Sequence, residues 1–160
     1  VKDKIKKYKK KNMDKLYIEE NKSSSEVISR IASDYDITNY EILKSKNGKP
    51  YFKNEKIYFN ISNKDNVTVA MASDRAVGID IEKLTFKEKV VKHFFTEKEQ
   101  EIISKSLNKE LDFTTIWVKK EAYLKCLGLD ITRFREIDTT KLSGFIIKNY
   151  KEYVIGIIKE

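Results

Sequence analysis

Three strand-like runs, KIYFNIS, NVTVAMAS and AVGIDIE, follow one another within residues 56–82, split only by the turn signals NKD and SDR. β-Branched and aromatic residues are frequent in them, as pleated, half-buried segments require. Parallel neighbours need a crossover of a dozen or more residues, and these connections have about three. The spacing therefore predicts an antiparallel meander. Within the third run, Ile79 and Ile81 alternate with Asp80 and Glu82. Two carboxylates on one strand face lie roughly 6–7 Å apart and repel each other.

After Leu84 the period changes from two to about 3.6. FKEKVVKHFF reads as a short helix, and TEKEQEIISKS follows with Thr96 and Glu99 at capping-box spacing. LDFTTIWVKKEAYLKCLG is the clearest helix, ended by Gly128. Upstream, SSSEVISRIASDY predicts a helix capped near Ser23, with Val27, Ile28, Ile31 and Ala32 as its apolar stripe. YEILKSKNGKPYF carries an Asn-Gly turn and the only proline, Pro50. Residues 132–160 read as further strands, with a hairpin turning at residues 149–152. FNISNKDNVTVAM and FIIKNYKEYVIGI align without gaps, pairing Phe59 with Phe145, Ile61 with Ile147, Asn63 with Asn149 and Val69 with Ile155. The pattern predicts an α+β fold with antiparallel sheets and packed helices.

Composition bounds the function. In 160 residues there is room for one domain or two small halves around a shared core. No apolar run approaches the 18 residues of a membrane span. The single Cys126 excludes an internal disulfide and fits a reducing cytoplasm. Residues 2–15 are lysine-rich, lack a following apolar stretch, and read as a solvated helix face or arm rather than a secretory signal. A net charge of +8 points to an anionic partner or to plain solvated surface. His93, the only histidine, reads as structural or surface.

Two clusters carry chemistry. A hard cation gripped between Asp80 and Glu82 would remove their repulsion, and Mg²⁺ commonly takes one or two carboxylates plus substrate phosphates. Glu121 and Lys125 stand at i and i+4 on one helix face, with Trp117 one turn earlier. Each cluster alone also fits an ordinary solvated pair.

Taken in order, Gly78-Ile79-Asp80, then Phe95-Thr96 with Glu99, then Trp117, Lys120, Glu121, Ala122 and Lys125 resemble the motifs of the 4'-phosphopantetheinyl transferase superfamily. NGKPYF and IYFNISN resemble elements of its larger, surfactin-synthetase-activating type. The resemblance implies the two related halves of that fold, with a shortened first half in residues 1–76 and the metal and catalytic motifs in residues 77–160. It implies transfer of phosphopantetheine from coenzyme A to a serine of an acidic acyl or peptidyl carrier protein, of the kind used in fatty-acid, polyketide or nonribosomal peptide biosynthesis. It assigns Mg²⁺ to Asp80, Glu82 and Glu121, converging in one coordination sphere. Glu121 becomes the base for the incoming serine, and Lys125 the group that assists the departing 3',5'-ADP. Coenzyme A contacts fall on Lys49, Pro50, Ser62 and Asn63, and Lys120 adds a phosphate contact.

Asn63 stands where the family usually has histidine. A neutral amide cannot carry positive charge, so weaker coenzyme A binding is expected. Lys125→Ala is expected to lower turnover with stability nearly unchanged. Phe94, Phe95 and Ile103 are expected to offer apolar contact to the carrier. A cytoplasmic monomer is expected rather than a dimer, bound to neither nucleic acid nor membrane. Two other readings stay open: a transferase fold that has lost its activity, and a basic module that binds nucleic acid or an acidic protein.

Overall fold

The computed structural model describes residues 13–160. Most of the lysine-rich segment lies outside the described residues. The strands are β1 (Lys15–Glu20), β2 (Ile42–Lys44), β3 (Pro50–Phe52), β4 (Tyr58–Lys64), β5 (Val67–Ser73), β6 (Val77–Lys83), β7 (Ile146–Tyr150) and β8 (Tyr153–Lys159). The helices are α1 (Ser24–Asp34), α2 (Glu88–Phe94), α3 (Glu97–Lys105) and α4 (Lys109–Leu127). The fold is α+β, with antiparallel sheets and packed helices.

The strands form sheets ordered β1-β5-β4 and β6-β8-β7, with β2-β3 as a separate pair. The expected meander holds for β4 and β5 only. β5 has β1 on one edge and β4 on the other, so no edge remains for β6. β6 pairs instead with β8, from the far end of the chain. β1 was hidden in the sequence by its lysine-rich surroundings, although Leu16 and Ile18 alternate with Tyr17. Residues 132–141, read as strand, fall in two short 3-10 helices, Ile131–Glu136 and Thr139–Lys141. Asp130 and Asp138 cap them through their side chains.

Both major sheets place their first strand beside their third, with the second outside. The β4-β5 and β7-β8 hairpins match the internal echo: Asp65 and Lys151, equivalent in that alignment, both turn at left-handed φ, 51° and 52°. The sheets share a core in which Val67, Val69 and Met71 meet Ile79, Ile81, Ile155 and Ile157. α1 covers the other face of the first sheet through Val27, Ile28, Ile31 and Ala32. Its capping box joins Ser23 and Glu26.

α4 lies directly on β6 and β8, and two glycines permit the approach. A Cβ on Gly78 would stand 1.8 Å from the Ala122 carbonyl oxygen, and one on Gly156 would stand 2.9 Å from Val118. The helix is enclosed on several sides, burying Phe113, Ile116, Val118, Ala122, Leu124 and Cys126. Gly128 ends it at φ 68°, the left-handed cap that glycine adopts without steric cost.

Candidate active site

β4 and β6 are edge strands of different sheets, yet they lie side by side. Three side-chain links join them. Asn60 Oδ1 accepts the Ile79 N–H at 2.8 Å, Ser62 Oγ donates to Asp80 Oδ1 at 3.1 Å, and the Lys64 ammonium pairs with Glu82 at 3.2 Å. The partners advance together, so the strands run parallel along this seam. With no backbone ladder between them, polar side chains hold it together and line it.

α4 closes the seam. One helical turn separates Glu121 from Lys125, and both face β6. Lys125 Nζ donates to Asp80 Oδ1 at 2.9 Å and to Ser62 Oγ and the Ile79 carbonyl at 3.2 Å each. Asp80 is buried, and its Oδ2 has no hydrogen-bond partner among the described residues. Burial pushes its carboxyl above the usual range, against the pull of Lys125. Glu121 is half-buried, and burial followed by the negative charge of Asp80 raises it to about 7.

The three acids act on one another electrostatically but are not gathered into one ligand sphere. Among the described residues, no three acid, histidine or cysteine side chains stand close enough to hold a metal ion. Unneutralised carboxylates repel, and here Lys125 takes Asp80 while Lys64 takes Glu82. The donor set still suits a hard cation, being all oxygen, with Asp80 Oδ2 buried and unpartnered.

The remaining residues assigned from sequence divide. Ser62 sits at the centre of the seam. Asn63 is exposed, and its amide donates to Ser24 Oγ at 3.1 Å. Pro50 lines a groove of about 490 Å³ that also includes Ser24, Ile28, Tyr40, Ile42 and Ile61. Lys49 follows a different path from its neighbour. Its amine donates to the Val77 and Lys125 carbonyls at 2.9 Å, pinning the loop to β6 and α4, and burial lowers its pKa.

Lys120 does not reach the seam, and its expected phosphate contact is corrected. The side chain is fully buried and pairs with the equally buried Glu99 at 2.6 Å. Glu99 also accepts the Thr96 N–H at 3.0 Å, the Thr139 N–H at 3.1 Å and the Thr139 hydroxyl at 2.6 Å. An i to i+1 step rotates a helix by about 100°, which carries Lys120 off the face that meets the acids. The expected carrier contacts are corrected too. Phe95 and Ile103 are buried in the cluster around Phe113, and only Phe94 stays partly open. Trp117, partly buried, stacks on Phe134 with ring centroids 4.7 Å apart, at the edge of the core.

Sequence reasoning did not assign Asn60 its linking role or Gly78 its packing role. An amide at a buried register in YFNIS was the available signal for the first. Among the described residues, no helix is long and apolar enough to cross a membrane.

The chain is 40% identical over 131 residues to the 4'-phosphopantetheinyl transferase gsp of Aneurinibacillus migulanus, covering 76% of this chain and 54% of that protein. It is 35% identical over 102 residues to the 4'-phosphopantetheinyl transferase HetI of Nostoc sp. strain PCC 7120, covering 57% and 43% respectively. The chain thus spans about half the length of these curated relatives. The profile of one superfamily matches residues 76–155, which take in β6, all of α2 to α4, β7 and the start of β8. By that match, this chain belongs to the 4'-phosphopantetheinyl transferase superfamily.

Proposed function

We propose that this protein transfers 4'-phosphopantetheine from coenzyme A to a serine of an acyl or peptidyl carrier protein, with Mg²⁺ as cofactor. The observation that carries this reading is the seam itself. One lysine and two coupled acids meet beside Ser62, where the backbone ladders stop. Such a site suits a reaction whose charge changes at a pyrophosphate.

In the proposed reaction the carrier's serine Oγ bonds to the β-phosphorus. The bond from that phosphorus to the bridging pyrophosphate oxygen breaks, and 3',5'-ADP leaves with the electron pair. Glu121 takes the serine proton; a carboxyl with a pKa near neutrality suits a general base. Lys125 balances charge on the departing oxygen. Asp80, Glu82 and Glu121, not gathered into one ligand sphere here, would have to close on Mg²⁺ to hold it, and the ion would supply neutralisation of pyrophosphate charge. Coenzyme A lies with its nucleotide towards the groove at Pro50, and Asn63 at the rim supplies only a neutral hydrogen bond. The two sheets with one shared strand order are read as two halves, divided near Val77.

The basic surface steers an acidic carrier, which raises association rate more than final affinity. The test is mass spectrometry of an apo carrier protein incubated with this protein, coenzyme A and Mg²⁺. The expected result is a phosphopantetheine-sized gain on one serine. No gain on any of a panel of acyl and peptidyl carriers would leave a superfamily member without transferase activity.

A further inference from the structure

β6 pairs with β8 along one edge, and its other edge faces β4 without a backbone ladder. Residues two apart on a strand turn their backbone groups to the same edge, so Val77 and Ile79 both present theirs to the seam. Side chains take these groups in place of a strand. Asn60 Oδ1 accepts the Ile79 N–H, Lys125 Nζ donates to the Ile79 carbonyl, and Lys49 Nζ donates to the Val77 carbonyl. The Lys49 amine also donates to the Lys125 carbonyl at 2.9 Å. One ammonium therefore ties β6, just before Asp80, to the last turn of α4 at Lys125.

The loop that carries Lys49 holds it in place. The Ser45 hydroxyl accepts the Lys49 N–H at 3.1 Å, and the Ser45 N–H donates to the Lys49 carbonyl at 2.9 Å. Asn47, in the same loop, donates its side-chain amide to the Gly128 carbonyl at the end of α4. Gly48 and Pro50 line the large groove, while the amine of Lys49 between them reaches Val77 and Lys125. Helix ends leave carbonyls unpaired and open most readily, and a cation there also meets the negative end of the helix dipole.

We infer that Lys49 serves the transfer as the positioning residue of Lys125, and not as a contact of coenzyme A. The inference rests on the transferase reading and changes the role of one residue within it. The spacing of β6 and α4 decides whether the Lys125 amine reaches Asp80 Oδ1 at 2.9 Å and Ser62 Oγ at 3.2 Å. Lys49 fixes that spacing through the backbone of both segments. A shift of about 1 Å in a reacting group can cost about a hundredfold in rate, so the effect falls on turnover.

The test is a double-mutant cycle. Lys49→Met keeps most of the unbranched stem and removes the amine. Single-turnover rates of apo-carrier modification at saturating coenzyme A are followed by mass spectrometry for the parent, Lys49→Met, Lys125→Ala and the double variant. Coenzyme A affinity by calorimetry and Tm are measured alongside. Lys49→Met should lower the rate roughly 10–100-fold in the parent, yet by less than about twofold once Lys125 is absent. Coenzyme A affinity should stay within about threefold. Asn47→Ala, which frees the same helical turn, covers poor folding of Lys49→Met; it should lower the rate roughly threefold, again only with Lys125 present. Equal losses of rate in both backgrounds would overturn the inference, because Lys49 would then act independently of Lys125. A loss confined to coenzyme A affinity would overturn it in favour of a direct contact. An unchanged rate with a lowered Tm would overturn it by making Lys49 a plain helix cap. A parent that modified no carrier would overturn the transferase reading and this role with it.

Discussion

Lys120→Met separates the two roles available to a lysine beside Glu121, the proposed general base. Methionine keeps most of the unbranched stem, so packing changes little and the loss falls on charge. In the parent, the amine pairs with Glu99 at 2.6 Å and also donates to the Ile137 carbonyl, with both ionic side chains fully buried. Removing one partner of such a pair costs about 3–5 kcal/mol, because the other charge stays buried without compensation. Glu99 would keep its bonds from Thr96 and Thr139, which argues for the lower end of that range. For a chain of this size, about 3 kcal/mol lowers Tm by roughly 6–12 °C. The assay is urea unfolding with thermal melting, alongside coenzyme A titration. Lys120→Met combined with Glu99→Gln should recover part of the loss, since the stranded charge is gone. A Lys120→Met protein as stable as the parent, but weakened in coenzyme A binding, would refute the argument and restore the phosphate contact suggested by sequence.

Three further outcomes are expected. Lys125→Ala should lower kcat by roughly 10²–10⁴-fold and, against the expectation from sequence, should also reduce stability, because buried Asp80 loses its partner at 2.9 Å; a normal Tm would show that pair to be dispensable. In divalent-free buffer, folded Glu121 holds its proton up to about 7 against 4.5 for an ordinary glutamate, so the unfolded chain ionises first and stability should fall as pH rises from about 4.5 through 7. Glu121→Gln should flatten that slope in denaturant titrations, and Mg²⁺ should reduce it. Gly78→Ala should cost at least the roughly 1–3 kcal/mol typical of overpacking, since its Cβ would sit 1.8 Å from the backbone of α4; a melting curve matching the parent would contradict the close approach.

Local patterns in the sequence were enough for the helices and their ends. Ser23, Thr96 and Gly128 act where their spacing placed them, because a cap is satisfied by atoms within one turn of the chain. The β4-β5 and β7-β8 hairpins were legible for the same reason: their partners are neighbours in sequence. The superfamily motifs pointed to Asp80, Glu82, Glu121 and Lys125, and in the structure Lys125 pairs with Asp80 while Glu82 pairs with Lys64. Only the tertiary structure decided those pairings. β6 pairs with β8 instead of β5 because β1 had already taken the free edge of β5, a competition between segments far apart in the chain. Lys120 and Glu121 are adjacent in sequence but leave α4 about 100° apart. Which side meets the acids depended on Gly78 letting the helix settle on β6, and on Glu99 and Thr139 receiving the buried amine from behind. Local sequence sets where a side chain leaves the backbone, whereas long-range packing sets what it meets.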